Sequence, residues 1–472
     1  MSGTEDGAGR RRVAVIGGGW AGCAAAVELA DAGCAVVLYE AARTLGGRAR
    51  AVQLDGRALD NGQHILLGAY RDTLALLRRV GVDPRAAFLR LPLQMRYPPA
   101  SGLLDFVAPR LPAPLHMLAA LLRARGLARE DKLALARFTT SARWMGWQLH
   151  RDCSVSELLQ RFDQTPRVQR LLWAPLCIAA LNTPPERASA KVFLAVLRDS
   201  LGARRAASDM LLPRLPLDAL FPDAARAWLE RRGAHVALGS RVRDIARVVM
   251  EGGIGGDMDR AGTDGGGGWC VTVNGADARF DAVVVATAPW QAAALVRALP
   301  GMAPVAQQLD AFAYEPISTV YLQYAAGTRL PLPFCALLDA PAEGLWGQFA
   351  FDRGQLDAGQ DGLLAVVVSA AGDAAALPRE ALAAAVAAQL AGVFGMPALA
   401  ASAWSRVVTE KRATFACAPG LQRPGNATGL AGLALAGDYT AGAYPATLES
   451  AVRSGVAAAR QVARPGAPGS PA

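Results

Sequence analysis

The chain has 472 residues, 52% hydrophobic and 19% charged, which excludes a disordered protein and gives enough length for two folded domains. Its net charge of +9 is carried almost wholly by arginine, with Lys132, Lys191 and Lys411 the three lysines. No basic stripe with interleaved aromatics accompanies that charge, so nucleic acid is not the expected partner, and an anionic membrane surface fits better.

Residues 1–11 form a small, polar and basic tail. The apolar run after Arg10-Arg11-Arg12 is too short for a signal segment, is broken by Gly17-Gly18-Gly19, and reads as a buried strand over 13–16. A helix over 21–31 and a second apolar strand over 35–39, ending at Glu40, complete a βαβ unit. From about Leu91 prolines cluster, and long helical patterns then run to about Ser200. A second shift comes at 213–222. Phe221-Pro222-Asp223 opens a helix that Gly233 stops, and 236–238 return to strand. The Gly-rich run 251–268 lies between two strand patterns and reads as a mobile hairpin tip. Strands over 282–286, 317–324 and 364–369, a helix over 379–394, a strand over 433–436 and a helix over 448–462 follow, with a loose tail from Arg464. No run of 18 apolar residues spans a membrane. The seven cysteines are scattered without a Cys-x-x-Cys pair and the four histidines lack metal spacing, so the expectation is reduced cytoplasmic thiols and no metal.

The chemistry begins at Gly17-x-Gly19-x-x-Gly22, which follows a strand and opens a helix. In that context the first glycine makes the tight turn, the second lets backbone approach a pyrophosphate, and the third lets helix pack on strand. The helix N-terminus offers free N–H groups and partial positive charge to phosphates. Glu40, at the end of the second strand, is set to accept both hydroxyls of an adenosine ribose.

Gly46, Gly47 and Arg48, shortly after that acid, resemble the second dinucleotide motif of the flavin amine oxidase and phytoene desaturase superfamily. The run 283–287 followed by Pro289 resembles its Ala-Thr turn, and Leu435-Ala436-Gly437-Asp438 its C-terminal Gly-Asp motif. The resemblance implies an α/β fold: a Rossmann-type FAD-binding domain built from 12–90, 214–300 and 405–463, with an interleaved α+β substrate domain from 91–213 and 301–404. It implies FAD as cofactor, held by Gly17, Gly19, Gly22, Glu40, Gly46, Gly47, Arg48, Gly62, Val242, Gly437, Asp438 and Leu448. Arg48 would offer charge to the pyrophosphate, Asp438 would hold the ribityl chain, and the helix from Leu448 would turn its N-terminus to the flavin.

The stretches NGQHILLGAY (61–70), WAPLCIAALNTP (173–184), SAKVFLAVLRDS (189–200), SDMLLP (208–213) and GDYTAGAYPATLES (437–450) resemble the hydroxysqualene dehydroxylases of bacterial squalene and hopanoid synthesis, over most of 12–462. That resemblance implies a C30 isoprenoid alcohol as substrate, loss of its allylic hydroxyl as water, and hydride from reduced flavin. The electron donor is not identifiable. A protonating group is needed. His64 is the first candidate, the alternative being a histidine bonded to backbone that only shapes the pocket; Tyr444, Asp209 and Glu315 are the others. Aromatic faces stabilise an allylic cation, and Trp173, Tyr321, Tyr324, Phe349 and Tyr444 are available for it. The segment 111–127 is expected either to lie in a membrane interface, with Arg123 and Arg125 toward lipid phosphates, or to pack as an ordinary lid helix. A carotenoid-type desaturase and a non-catalytic lipid escort of the GDI type are the competing readings.

Overall fold

A computed structural model describes residues 9–202, 204–248 and 267–463. Five short strands form a wholly parallel sheet in the spatial order His235–Ala237, Ala35–Tyr39, Arg12–Ile16, Ala282–Val285, Leu433–Leu435. The chain enters at the centre with Arg12–Ile16 and builds outward in both directions, so a crevice opens at the carboxyl end of that strand.

Alternation along these strands divides the interior. Val13, Val15, Val36, Leu38, Val284 and Ala434 face one core with the helices Trp20–Asp31, Pro222–Glu230 and Leu448–Ala463. Ala14, Ile16, Val283, Val285, Leu433 and Leu435 face another. There they meet Ile245, Trp269, Val271 and Phe280 of a three-stranded antiparallel sheet. Both faces are covered, which is why these strands read as continuous apolar runs rather than alternating ones.

A second sheet is antiparallel throughout, in the order Phe334–Ala336, Phe349–Asp352, Leu363–Ser369, Tyr314–Gln323, Trp404–Phe415. One face, with Val320, Leu322, Leu364 and Val366, packs on the alanine-rich helix Arg379–Phe394. The other turns toward the parallel sheet and the helices Ala174–Leu181 and Ala190–Ser200. A large cavity lies between them.

The expected helix and strand positions recur within one to three residues at their ends. Two features differ. The strand Trp404–Phe415 is twelve residues long and pairs along Tyr314–Gln323, so the domain boundary expected between 404 and 405 falls at the start of a strand of the antiparallel sheet. The small sheet Leu66–Leu67, Met210–Pro213, Phe88–Leu91 likewise straddles the boundaries expected at 90/91 and 213/214. Long-range pairing joined segments whose local patterns gave no sign of each other. The Gly-rich run 251–268 lies outside the described residues except for its last two; the strands flanking it, Val242–Val248 and Gly268–Val273, pair antiparallel.

The first and last helices cross at close range. A Cβ on Gly455 would stand 2.1 Å from the Ala21 carbonyl oxygen. Replacing a helical glycine by alanine ordinarily stabilises a helix by about 1 kcal/mol. Here Gly455→Ala is expected to destabilise the protein by about 1–3 kcal/mol, because backbone must move to admit the methyl group. Chemical denaturation of the two proteins measures this, and a gain in stability would contradict the tight crossing.

Candidate active site

The crevice at the end of Arg12–Ile16 is walled by backbone. Gly17 has φ 106° and donates its N–H to Tyr39 O at 2.8 Å; a Cβ there would meet Ala286 O at 2.6 Å. Gly22 stands under the turn rather than in the cavity, where a Cβ would come within 1.8 Å of Gly17 O. Its role is to let the helix start against the turn. Gly46 and Gly47, at φ 106° and 59°, bring a second loop against the first: Gly46 donates to Gly18 O at 2.8 Å, and a Cβ on Gly47 would lie 3.2 Å from Gly19 Cα. Two glycine loops thus face the cavity edge to edge with no side chain between them. Glu40 accepts from Gly18 N–H at 2.6 Å and Ala42 N–H at 2.7 Å, and also faces the cavity. A carboxylate has lone pairs beyond those two bonds, so ribose hydroxyls remain compatible with it.

Arg48 lines the cavity and is also tied into the protein. Its guanidinium makes two 2.7 Å bonds to Asp438 and a third to Ala413 O at 2.7 Å. Asp438 balances its charge, and the pair fixes both side chains at the cavity wall. Gly437 N–H is held by Ser454 Oγ at 2.9 Å, and Thr447 Oγ1 accepts Ser450 N–H at 3.1 Å at the start of the last helix. Gly62, Val242, Leu448, Gly437 and Asp438 all line the same cavity.

The cavity has a volume of about 950 Å³ and runs on from these loops to an apolar wall. Leu176, Ile178, Val196, Leu197 and Leu201 from the helices, and Phe334, Phe349 and Phe351 from the second sheet, form that wall. Phe334 stacks on Phe349 with centroids 5.6 Å apart. Asn182, which caps the end of the helix within the WAPLCIAALNTP stretch, has φ 47°. It bonds Thr414 Oγ1 at 2.9 Å and Ala370 N–H at 2.7 Å, tying the helix to the sheet across the cavity.

Of the aromatics expected around the substrate, only Phe349 and Tyr444 line this cavity. Trp173 is buried between Phe138 and Phe193 and donates to Gln164 Oε1 at 2.9 Å. Tyr324 falls on the alternate parity of its strand and so packs on the helix-covered face, with its hydroxyl on Leu399 O. Tyr321 is buried with its hydroxyl on Asp60 O at 2.7 Å. Each is core packing with a satisfied polar tip. Asp209 and Glu315 are likewise buried in ion pairs away from the cavity, with Arg90 and Arg205 and with Arg187.

His64 lines the cavity, with Nδ1 2.9 Å from Gly62 O. A carbonyl only accepts, so Nδ1 carries the proton and Nε2 is an acceptor. Burial, with Arg48 adding, lowers the imidazole pKa. A neutral ring with its only proton on a carbonyl is poorly placed to donate one, so the backbone-bonded alternative is the one its geometry favours. Tyr444 donates its hydroxyl to Asp199, and Arg453 lies 4.8 Å from its ring. Burial, and then the bond to Asp199, raise the phenol's pKa. Asp199 also takes Arg198 at 2.7 Å; burial pushes its carboxyl up, but the bonds from Arg198 and Tyr444 prevail and hold it ionised below the usual range. Asp199, Asn182 and Thr447 were missed in the sequence, because nothing local marks an acid in a helix or an asparagine at its end as facing a pocket.

A flavin fits this cavity. The two glycine loops form a cradle that side chains would fill, and Thr287 Oγ1 is buried at its edge without a partner. Among the described residues no group of His, Cys, Asp or Glu is arranged for a metal, and no helix is long and apolar enough to cross a membrane.

Fold and cavity together define a flavin-dependent oxidoreductase. The profile of the family described as flavin containing amine oxidoreductase matches residues 20–463. The chain is 32% identical to a hydroxysqualene dehydroxylase of Rhodopseudomonas palustris over 95% of its length and 97% of that protein's. It is 25% identical to a 15-cis-phytoene desaturase of Synechococcus elongatus over 96% and 95%. A crystal structure titled putative protoporphyrinogen oxidase, from Exiguobacterium, shares the fold with a TM-score of 0.66 at 16% identity, covering 97% of this chain and 99% of that one. The chain belongs to the flavin containing amine oxidoreductase family and, within it, to the hydroxysqualene dehydroxylase group.

Two expectations follow. Asp438→Ala leaves Arg48 without its carboxylate and frees the loop, so flavin binding is expected to weaken at least about tenfold. Fluorescence titration of the flavin-free protein measures this, and an unchanged Kd would mean that the pair does not shape the site. Beside the cavity, burial pushes the Asp60 carboxyl up from 3.8 to about 6, although Leu217 N–H and Arg353 oppose it. A raised carboxyl pKa means the folded state binds the extra proton, so stability falls as pH rises from 3.8 to about 6 and levels off above. Asp60→Asn keeps the acceptor for Leu217 and removes that loss, so at pH about 7 it is expected to be more stable than wild type by up to about 3 kcal/mol, with little difference at pH about 4. Denaturation at both pH values decides it; equal differences would refute the assignment.

Proposed function

We propose that the chain is an FAD-dependent enzyme that removes the allylic hydroxyl of hydroxysqualene as water and puts hydrogen in its place, giving squalene. The observation that carries this reading is the single cavity in which the glycine loops give way to an apolar wall bearing the Tyr444–Asp199 pair. Gly17, Gly19, Glu40, Gly46, Gly47, Gly437 and Asp438 would hold the cofactor. FAD, when bound and reduced, supplies the hydride.

The chain's own residues have three tasks. Leucines, isoleucine and valines of the two cavity helices exclude water and accept an isoprenoid chain by apolar burial. Tyr444 keeps its proton, because its pKa is raised; unlike a ring N–H, its hydroxyl can rotate from Asp199 to the leaving hydroxyl oxygen and hand the proton over there, and water departs as the carbon–oxygen bond breaks. The ionised Asp199 and the faces of Phe334, Phe349 and Phe351 stabilise the allylic cation that remains. The relative named hydroxysqualene dehydroxylase supports this substrate, and the one named 15-cis-phytoene desaturase supports a second reading in which a polyene is oxidised.

The two differ in the direction of electron flow. Under anaerobic conditions, reduced protein mixed with hydroxysqualene is expected to regain oxidised-flavin absorbance and yield squalene, whereas oxidised protein is expected to be unchanged by phytoene. Reaction with phytoene alone would replace the first reading by the second. Tyr444→Phe and Asp199→Asn are each expected to lower the single-turnover rate about 10²-fold or more with flavin content unchanged.

A further inference from the structure

Among the described residues, six of the seven large apolar side chains that stand exposed fall in one stretch: Leu111, Leu115, Leu118, Leu122, Leu133 and Trp144, with Leu215 the exception. All but Leu111, which precedes them, and Leu215 are carried by two helices, Leu115–Arg123 and Arg129–Trp144. In the first, Leu115, Leu118 and Leu122 recur at helical spacing on one side while His116, Ala120 and Ala124 are buried on the other. In the second, Leu133 and Trp144 share a side, and Ala134, Leu135, Phe138 and Ala142 are buried opposite.

The two helices adjoin where the first ends and the second begins. Lys132 Nζ bonds Leu122 O at 2.9 Å, joining the end of the first to the start of the second. The exposed leucines and Trp144 thus stand out along one two-helix stretch, with exposures of 53% at Leu115, 67% at Leu122 and 92% at Trp144. Exposed Arg123, Arg129, Arg137 and Arg143 are set among them; of the two acids in these helices, Asp131 is buried and bonded to Thr165 and Ala128 N–H, which leaves Glu130.

We infer that this two-helix face docks on an anionic lipid bilayer. Leucines with an interfacial tryptophan suit the boundary between acyl chains and headgroups, and interspersed arginines suit lipid phosphates. The face is also close to the cavity. The first helix packs on the strand Asp105–Val107, which pairs with Gln94–Arg96, and Gln94 and Met95 line the cavity. Trp147, just past the second helix, abuts Gly202, next to cavity residue Leu201. A lipid-dissolved molecule would thus enter the protein from the surface on which it docks. The inference does not rest on the proposed reaction, since docking is measured without turnover.

The test is co-sedimentation of the full, flavin-loaded chain with vesicles of phosphatidylcholine alone and of an equal mixture with phosphatidylglycerol. The wild type is expected to bind the anionic vesicles, and less so as salt is raised. The triple variant Leu115→Ser, Leu118→Ser, Leu122→Ser is expected to bind them at least about tenfold more weakly. Leu215→Ser, on an exposed leucine elsewhere, is expected to bind as wild type does. All three leucines are exposed, so flavin absorbance and Tm of the triple variant should match wild type; Trp144→Ala, expected to weaken binding as well, repeats the test without touching the first helix. Wild-type binding to neither vesicle, or undiminished binding by both variants, overturns the inference. So does a self-associated form, seen by sedimentation velocity, that the triple variant dissolves while no vesicle binding is found.

Discussion

Arg48 and Asp438 are 390 residues apart in the chain and face each other through two 2.7 Å bonds. The walls of the cavity depend on this meeting. Arg48 extends from the second glycine loop, Asp438 follows the last parallel strand, and the third bond from Arg48 goes to Ala413 in the longest strand of the other sheet. One planar guanidinium therefore ties three segments, and its fixed fork is what makes a lysine a poor substitute. Asp438 is nearly buried while Arg48 keeps a third of its side chain exposed, so the pair acts more by fixing geometry than by adding stability. Glu449 does comparable work at the start of the last helix, where its buried carboxylate takes Thr73 N–H, Thr73 Oγ1 and Arg453.

The cavity joins two environments of opposite character. Its backbone end is made of glycines, whose missing side chains leave N–H groups and helix N-termini directed at the space, a setting for phosphates. Its far end is made of leucine, isoleucine, valine and phenylalanine with few polar groups, among which Tyr444 bonds Asp199 and Asn182 bonds Thr414. Tyr444 and Asp199 come from segments 245 residues apart and belong to neither glycine loop. Their bond, with Arg198 behind it, keeps a carboxylate ionised inside an otherwise apolar wall, which requires a charged partner at close range.

Much of the flavin side was legible in the sequence because its signals are local. A glycine turn between strand and helix, an acid at the end of the next strand, and a Gly-Gly pair shortly after are constraints of backbone geometry within about one βαβ unit. The substrate side was less legible. Trp173, Tyr321 and Tyr324 sit in segments rich in apolar residues, and which way an aromatic turns depends on the parity of its strand and on what covers that face. Tyr321 and Tyr324 are on opposite faces of one sheet and neither reaches the cavity. His64 lines the cavity, but its tautomer is set by the Gly62 carbonyl, which sequence does not reveal.

By itself the sequence determined the local backbone: where glycine must stand for a turn to close, where apolar runs form buried strands, and where helices begin and end. It also carried the order of motifs that identifies the family. Only the tertiary structure decided which distant polar groups pair. It gave Asp438 to Arg48, Asp199 to Tyr444, and the strand Trp404–Phe415 to the second sheet. The reason is that a turn or a helix start is fixed by interactions within a few residues. A pocket wall or an ion pair is fixed by which segments pack together, and that is a property of the whole chain.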